Sequence, residues 1–305
     1  MSTLSFGWLP DFPDIRDKTI KSDEKNTKPA MDPTEKISVK DLRDKAKPGV
    51  ETLILSEKKE GLEKYFLPVD NQQEWNSCTA HAGASLVEYF ETKSYGDCEK
   101  KSRMFLYKIT RNLLNFQGDT GAFVRATMKA MVLFGIPPEK FWTYCCDNLN
   151  NEPSQFCYAF AQNYQAIQYY RLDKFDTKKE DLLREIKINL LKELPLMFGF
   201  TVYSNINKCK DGFITYPSIS NKQIGGHAVV AVGYDDNLKI KCETDHKDEN
   251  DESFTMGAFR IRNSWGPEWG ENGYGWLPYS YLLHGLAKDW WSIIKNEWID
   301  NKAFD

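Results

Sequence analysis

The sequence predicts an α+β fold with two lobes, because a half of the chain rich in helical patterns precedes a half rich in strands. Apolar residues recur at helical spacing in some stretches, whereas others are short β-branched or aromatic runs bounded by Gly, Asn and Asp. The predicted helices cover residues 76–93, 121–134 and 179–193. The predicted strands cover residues 195–203, 227–234 and 258–265.

Each predicted helix has its own signals. The helix over 76–93 carries a stripe of small residues, which would let another element approach closely. The stripe consists of Ala80, Gly83, Ala84 and Val87. The helix over 121–134 follows Asp119–Thr120, which are candidate N-cap residues, and is stopped by Gly135 and the prolines that come after it. The helix over 179–193 is ended by Pro195.

Composition and charge limit the classes of function. The chain has 305 residues, of which 41% are hydrophobic and 28% charged, as in a folded globular protein. Its net charge of −4 gives no chain-wide basic field, so we expect neither nucleic acid nor a membrane as a partner. There is no apolar run near the ~20 residues of a bilayer span and no secretory signal. We therefore expect a cytoplasmic protein, or one exported without a classical signal peptide.

The chain divides into three predicted segments. Residues 1–64 form a leader, residues 65–160 a helical lobe, and residues 161–305 a β-rich lobe. The first 20 or so residues are rich in aromatics and prolines, which favour an extended, semi-rigid strip. Residues 21–64 are crowded with Lys, Glu and Asp, so they cannot bury enough apolar surface to fold alone. We interpret them as a linker or a clamp that needs a surface to lie on.

Cys78 is the first candidate for chemistry. It lies in the first turn of the predicted helix, after Asn76 and Ser77, which are both plausible N-cap residues. Unpaired backbone N–H groups and the positive end of the helix dipole favour a thiolate there, and a thiolate is a nucleophile at neutral pH. The alternative is a small core residue. The seven cysteines show no disulfide framework, which indicates a reducing compartment.

His227 is the candidate base for Cys78. It opens a predicted strand directly after Gly225–Gly226, where missing side chains leave space for a ligand. Asn263 lies at the end of the following strand, on its buried face. If the two strands pair antiparallel, the Asn263 oxygen accepts a hydrogen bond from one imidazole nitrogen and leaves the other facing a thiol. Trp265 is a candidate lid that keeps water from this hydrogen bond.

The other histidines are expected to have no chemical role. His81 lies one turn after Cys78 on the same helix, which leaves little room for a substrate, so we interpret it as structural. His246 lies in an acidic stretch and is expected to be solvated, and His284 is interpreted as a surface or core residue.

An oxyanion that develops during attack needs a hydrogen-bond donor. Gln72 lies six residues before Cys78, and its amide could reach the same point as the Cys78 backbone N–H. Gln73 is a rival, and spacing alone does not choose between them.

Three segments resemble the papain-like cysteine peptidases, in the order found in that family. NQQEWNSCTAHA resembles the family's Asn-Gln…Ser-Cys segment, GGHAVVAVGYDD its His segment, and IRNSWGPEWGENGYGWLPYSYL its Asn-Ser-Trp-Gly segment. The resemblance covers roughly residues 65–295. The Ser-Cys-Thr-Ala motif and the N-terminal segment GWLPDFPDIRD are most similar to sequences of a bacterial, xylellain-like branch of the family.

The resemblance implies a papain-like fold with a helical left lobe, an antiparallel β-barrel-like right lobe and an active-site cleft between them. It implies that Cys78 is the nucleophile and His227 the general acid/base. It also implies that Asn263 orients the imidazole and that Gln72 donates to the oxyanion.

Residues that bind substrate are implied in the same way. Thr120 and Gly121 match the loop whose backbone pairs with substrate as an extra strand. Gly226 would lie on the opposite wall and Trp269 on the leaving-group side, and Trp265 is a further candidate for contact with substrate. Where secreted members have a disulfide cysteine, this chain has Trp75, so that disulfide cannot form.

These observations predict a cysteine endopeptidase that hydrolyses polypeptides through a thioester acyl-enzyme, as a monomer. Its leader, residues 1–60, would lie across the cleft in cis and restrain activity, although a docking or stabilising arm is an alternative. Two other functions stay open: a catalytically silent scaffold that binds peptides or a protein, and an acyl transferase with an amine acceptor, as in transglutaminase-like proteins.

No metal or organic cofactor is expected. The chain has no CxxC pair and no Gly-rich phosphate loop, and Cys145–Cys146 with Cys157 has poor zinc-ligand spacing. The acidic stretch 245–252 lacks the EF-hand pattern, so we interpret it as a solvated loop at a hairpin tip.

Overall fold

The computed structural model describes residues 4–14, 16–17, 61–166, 168–209, 211–242 and 254–295. Its α-helices are α1 (Cys78–Tyr95), α2 (Arg103–Leu113), α3 (Val124–Leu133), α4 (Gln155–Ala161), α5 (Lys179–Leu191) and α6 (Tyr279–Leu283). Its strands are β1 (Trp8–Leu9), β2 (Ala122–Phe123), β3 (Gln168–Arg171), β4 (Leu196–Tyr203), β5 (Gln223–Lys241), β6 (Phe254–Arg262), β7 (Tyr274–Pro278) and β8 (Ala287–Lys295). Short 3₁₀ turns occur at Leu62–Tyr65, Glu139–Phe141, Cys146–Asn148, Gln162–Tyr164 and Ser204–Lys208.

The strands of the second half form one six-stranded sheet in the order β3-β8-β4-β5-β6-β7. Every neighbouring pair in this sheet is antiparallel. Helices α1 to α4 precede the sheet in the chain, so the predicted α+β class is confirmed. None of the helices in the described ranges is both long enough and apolar enough to cross a bilayer.

Helix α1 is the buried centre of the helical half. A Cβ added at Gly83 would lie 3.1 Å from Thr127 and 3.2 Å from Met131, both on α3, and 3.3 Å from Leu106 on α2. The predicted stripe of small residues is therefore the surface on which α2 and α3 pack. The first residue of α1 meets the sheet, because the amide of Ala228 in β5 donates to the Sγ of Cys78.

The start of the second predicted helix was wrong. Helix α3 begins at Val124 rather than 121, and its N-cap residue, Phe123, makes no side-chain cap hydrogen bond. The proposed cap, Asp119, instead accepts from the backbone amide of Asn76 and the hydroxyl of Tyr107. The residues between them form β2, because the Ala122 amide donates to the carbonyl of Gly7.

Two predicted strands differ in their limits. Strand β5 extends well beyond both ends of the predicted 227–234, and β6 begins earlier than predicted and ends at Arg262, just before Asn263. The chain leaves the ladder there because the Asn263 amide donates to Gly273, in the turn before β7. The acidic stretch 245–252 lies outside the described residues. The helix predicted over 179–193 is present as α5, two residues shorter.

Candidate active site

Cys78 is the first residue of α1 and is fully buried. Its Sγ accepts a hydrogen bond from the backbone amide of Ala228, at 3.4 Å. Burial raises the pKa of this thiol from 9.0 to about 11, although backbone donors such as the amides of Ala228 and Gly7 oppose the shift. The thiolate expected from the sequence is therefore disfavoured here, because the cost of desolvating the charge exceeds the effect of the helix start.

His227 lies next to Ala228 on β5 and is also fully buried. Its Nε2 is 2.7 Å from the Oδ1 of Asn263, so the structure brings these two residues together as the strand parity indicated. Its Nδ1 is buried without a hydrogen-bond partner among the described atoms. Burial lowers the pKa of His227 to about 4, against the opposing effect of the Asn263 hydrogen bond. The imidazole is therefore neutral at pH 7.

Trp265 stacks on the imidazole of His227, with ring centroids 4.5 Å apart and planes 21° from parallel. Trp269 is half-buried and meets Trp265 edge to face at 5.4 Å. The indole of Trp265 thus covers one face of the histidine, as expected of a lid over its hydrogen bond.

Gln72 and Gln73 occupy different environments. Gln72 is buried, its Oε1 accepts from the hydroxyl of Ser264 at 2.6 Å, and its Nε2 donates to Trp75 O at 2.8 Å. The same Nε2 is 3.2 Å from the carbonyl oxygen of Ser5. Gln73 is exposed, with a positive φ of 56°. Of the two glutamines, Gln72 is therefore the one whose amide lies in the cleft.

The N-terminal strip, residues 4–14 and 16–17 in the structure, lies across this site. The Ser5 carbonyl faces Gln72, and the amide of Gly7 is among the donors that act on Cys78. The ring of Phe6 lies with its centroid 6.3 Å from that of His227. The strip therefore contacts Gln72, Cys78 and His227.

Backbone pairing holds the strip to the helical side. Strand β1 pairs parallel with β2, with Trp8 opposite Ala122, and the Ala122 amide donates to Gly7 at 2.8 Å. The backbone that pairs with the strip begins at Ala122, one residue beyond the predicted pair of Thr120 and Gly121. Thr120 is exposed, whereas a Cβ at Gly121 would lie 2.3 Å from the carbonyl oxygen of Gly7. The absence of a side chain at Gly121 makes room for the strip.

The opposite wall receives the side chain of Trp8. A Cβ at Gly226 would lie 2.6 Å from the Trp8 carbonyl oxygen, and one at Gly199 would lie 2.0 Å from the indole ring. The indole Nε1 donates to the Oδ2 of Asp289 at 3.0 Å. The expectation that Gly226 borders the cleft therefore fits the geometry. Sequence reasoning did not identify Gly199 and Asp289, which meet the indole of Trp8 at the floor of this pocket.

Asp289 is the main residue that sequence reasoning overlooked. It is fully buried on β8 and lies 2.7 Å from a guanidinium nitrogen of Arg171. Burial raises its pKa to about 6, Arg171 lowers it, and Asp173 raises it further. A carboxylate in the apolar run KDWWSII is a usable signal, because a buried charge requires a partner.

His81 and His284 make contacts with residues other than Cys78. The Nδ1 of His81 is 3.2 Å from the carbonyl of Ser77, its ring meets Tyr144 edge to face, and burial lowers its pKa to about 3. These contacts agree with a structural role. His284 is exposed, and its ring packs against Tyr216. His246 lies outside the described residues.

All seven cysteines are free, including those at 145, 146 and 157. In the parts of the chain that the structure describes, no three His, Cys, Asp or Glu side chains are grouped as metal ligands.

Comparisons with known proteins agree with the geometry. The sequence profile of the papain family cysteine proteases matches residues 57–282. A peptidase C1-like protein of Acanthamoeba polyphaga mimivirus is 32% identical over 301 residues, which covers 96% of this chain and 88% of the viral protein.

Solved structures give the same result. Xylellain, a cysteine protease from Xylella fastidiosa, is 27% identical and superposes with a TM-score of 0.69 over 96% of this chain and 97% of its own. The proform of the ragweed pollen cysteine protease Amb a 11 is 19% identical, with a TM-score of 0.55 over 77% of this chain and 63% of its own, and supports the fold alone. The predicted resemblance to the xylellain-like branch is confirmed. The chain therefore belongs to the papain family of cysteine proteases and is a cysteine-type peptidase.

Proposed function

We propose that the chain is a cysteine endopeptidase in which Cys78 is the nucleophile and His227 the general acid/base. His227 takes the proton of the Cys78 thiol, and the resulting thiolate attacks a peptide carbonyl. The C–N bond then breaks, and His227 gives that proton to the departing amine. Water, deprotonated by His227, then hydrolyses the thioester, which releases the acid product and returns the thiol.

One observation carries this proposal. The Sγ of Cys78 contacts the amide of Ala228, which is the residue after His227, while Asn263 engages one nitrogen of the imidazole. Because the other nitrogen has no hydrogen-bond partner among the described atoms, it is available to exchange a proton. Asn263 fixes the ring orientation, and the indole of Trp265 shields it from water.

Gln72 and the backbone amide of Cys78 are the proposed donors to the oxyanion. The support is the carbonyl oxygen of Ser5, which lies 3.2 Å from the Gln72 Nε2 and stands in for the oxygen of a substrate carbonyl. The Oε1 of Gln72 is held by Ser264, which keeps the amide nitrogen pointed toward the cleft.

We further propose that the N-terminal strip restrains this activity in cis. It occupies the positions of a substrate backbone beside Gln72, Ala122 and Gly226. It also keeps the reacting groups in their neutral forms, because burial raises the pKa of Cys78 and lowers that of His227. A strip that served only as a stabilising arm would not need to contact these groups.

The test is Gly7→Val in the full chain. A Cβ at Gly7 would lie 1.8 Å from the carbonyl oxygen of Asn76, so the strip cannot seat. We expect higher turnover of an internally quenched peptide, because the cleft is uncovered. The matched control is Phe12→Val, which puts the same side chain at an exposed position of the strip and should leave turnover unchanged.

Further measurements separate the alternatives. Labelling by an epoxysuccinyl inhibitor that is lost in Cys78→Ala is expected of an active peptidase, and a folded Gly7→Val variant that stays unlabelled would indicate a silent scaffold. Product masses with and without an added amine distinguish hydrolysis from transfer. Equal turnover in Gly7→Val and wild type, with Cys78 reactive in both, would refute the restraint but not the peptidase.

A further inference from the structure

Arg125 lies at the outer end of the cleft, on the first turn of α3. Every hydrogen bond that its side chain makes within the described residues goes to the N-terminal strip. Its guanidinium donates to both carboxylate oxygens of Asp17 at 2.9 Å, to Asp11 at 2.5 Å and to the carbonyl of Phe12 at 2.7 Å. A planar fork that engages two carboxylates has the geometry by which arginine recognises acidic groups.

The strip is arranged to present these carboxylates. The Asp17 amide donates to the Asp14 carbonyl, and the Asp14 amide donates back to the Asp17 carboxylate at 2.8 Å. The Asp11 amide is fixed by a 3.0 Å hydrogen bond to Asp289. Both acidic side chains therefore converge on one cation from opposite ends of a short segment.

Arg171, the neighbouring cation, differs from Arg125 in the partners that it would keep if the strip left the cleft. Arg171 keeps ion pairs with Asp173 and Asp289, both of which belong to the body of the protein. Arg125 keeps no hydrogen-bond partner among the described residues, and only the Trp291 ring, 5.8 Å from its guanidinium, remains beside it. Its side chain is 25% exposed while the strip covers it, and departure of the strip exposes it further. An uncovered cleft therefore carries one uncompensated positive charge at this end.

Arg125 follows closely on the strand that pairs with the strip, so a polypeptide bound to that strand would pass near its charge. Strand β2, which pairs with the strip, ends at Phe123, two residues before Arg125. Asp11 follows Trp8, the residue paired with Ala122, by three positions, which is about 10 Å of extended chain. A polypeptide that pairs with β2 in the same manner passes the guanidinium at that distance.

We propose that Arg125 is a carboxylate-recognition site for polypeptide substrates, which Asp11 and Asp17 occupy in cis in the covered enzyme. The ligand class is an extended peptide with Asp or Glu about three residues beyond the side chain that enters the Trp8 pocket. This site rests on the proposed function, because it requires that substrates bind along the cleft that the strip now fills.

The experiment uses the full chain with Gly7→Val, so that the strip is displaced without truncation. Internally quenched peptides share one cleavable core and carry either Asp-Asp or Asn-Asn at increasing distances on each side of it. We expect Asp-Asp to raise kcat/KM about fivefold at one spacing, mainly through KM, which is the size of effect typical of a partly exposed ion pair. Added salt should reduce this ratio by screening.

Two variants in the Gly7→Val background test whether Arg125 carries the preference. Arg125→Gln should bring the Asp-Asp to Asn-Asn ratio to about 1. Lys129→Gln, one turn further along α3 at an exposed position, removes the same charge and should keep the ratio. A structural role of Arg125 would change both peptides equally and leave the ratio intact.

The possible failures are distinct. A ratio near 1 at every spacing in Gly7→Val, or a ratio that survives Arg125→Gln, would overturn the carboxylate site while cleavage of Asn-Asn peptides still supported the peptidase. Absence of cleavage of both peptides by a folded Gly7→Val variant would overturn the proposed function and this site with it.

Discussion

The protonation states of individual side chains in the site depend more on burial than on hydrogen-bond partners. Cys78 is shifted toward the thiol and His227 toward the neutral imidazole, in each case mainly by desolvation. A charged pair of these residues is therefore favoured only when water reaches the cleft. Gln72, in contrast, is neutral, and its amide is held in the same orientation whether or not the neighbouring groups ionise.

Gln72→Ala should lower kcat by about a hundredfold, the loss typical of removing one oxyanion donor, with KM changed much less. The measurement is steady-state hydrolysis of a neutral peptide in the Gly7→Val background. Gln73→Ala is the matched control, since Gln73 is the adjacent glutamine and is exposed. Equal losses in the two variants would show that the Gln72 amide is not a specific donor.

At this scale the sequence predicted contacts that a strand's own geometry determines. Alternation along β6 and the antiparallel pairing with β5 were enough to place Asn263 beside His227. The contact of Asp289 with Trp8 could not be predicted in this way, because the two residues are 281 positions apart and belong to elements with no local signal of pairing. Choosing Gln72 over Gln73 likewise required knowledge of burial.

The element that most affects the site is β1, a strand of two residues. Its backbone pairs with β2, but its largest buried group is the indole of Trp8, which is 4% exposed. Burial of such a side chain contributes roughly 3 kcal/mol, whereas so short a ladder adds little. The strip is therefore held chiefly by this one side chain and by its charged outer end.

Trp8→Ala in the full chain should raise turnover of a neutral peptide by up to about a hundredfold, because losing roughly 3 kcal/mol shifts the strip toward the open state. Phe12→Ala provides the control, since this aromatic residue of the same strip is 84% exposed and should change turnover less than twofold. Initial rates on one peptide suffice for the comparison. If the two variants behave alike, Trp8 is not the anchor.

Element limits were harder to predict than element types. The helical period identified α1, α3 and α5, and α1 also begins within two residues of its predicted start. The start of α3 was placed too early because β2 forms only through pairing with a strip 114 residues away. The length of β5 depends on its partners β4 and β6, so the run HAVVAVGY showed only its buried centre.

For the molecule as a whole, the cleft lies where α1 meets β5, and it is closed by a segment from the far N-terminus. The strip contacts the helical side at Ala122, the sheet at Gly226, and β8 at Asp289. Because the strip contacts both the helical side and the sheet, its departure from the cleft would expose Cys78 and His227 together. The reactivity of the Cys78 thiol should therefore report whether the strip covers the cleft.

The pH dependence of Cys78 alkylation tests this link. Burial raises the pKa of Cys78 from 9.0 to about 11, so the covered state gains stability from the neutral thiol below pH 9 and loses it as the pH rises through about 11. At pH 8 the thiolate fraction in the covered protein is about a hundredfold lower than for a free thiol. Alkylation by iodoacetamide should therefore be slow in the full chain until high pH, and in Gly7→Val its midpoint should move down by about two pH units.

Cys98 provides an internal control in the same digest. Burial also raises its pKa to about 11, yet its hydrogen-bond partner is Thr92, at the far end of α1 from the strip. Mass spectrometry of the two cysteine peptides should show a shifted profile for Cys78 and an unchanged one for Cys98 when Gly7→Val is compared with wild type. If both profiles shift, the variant has loosened the whole helix; if neither shifts, the strip is not what desolvates the thiol, and the restraint must act by blocking the cleft alone.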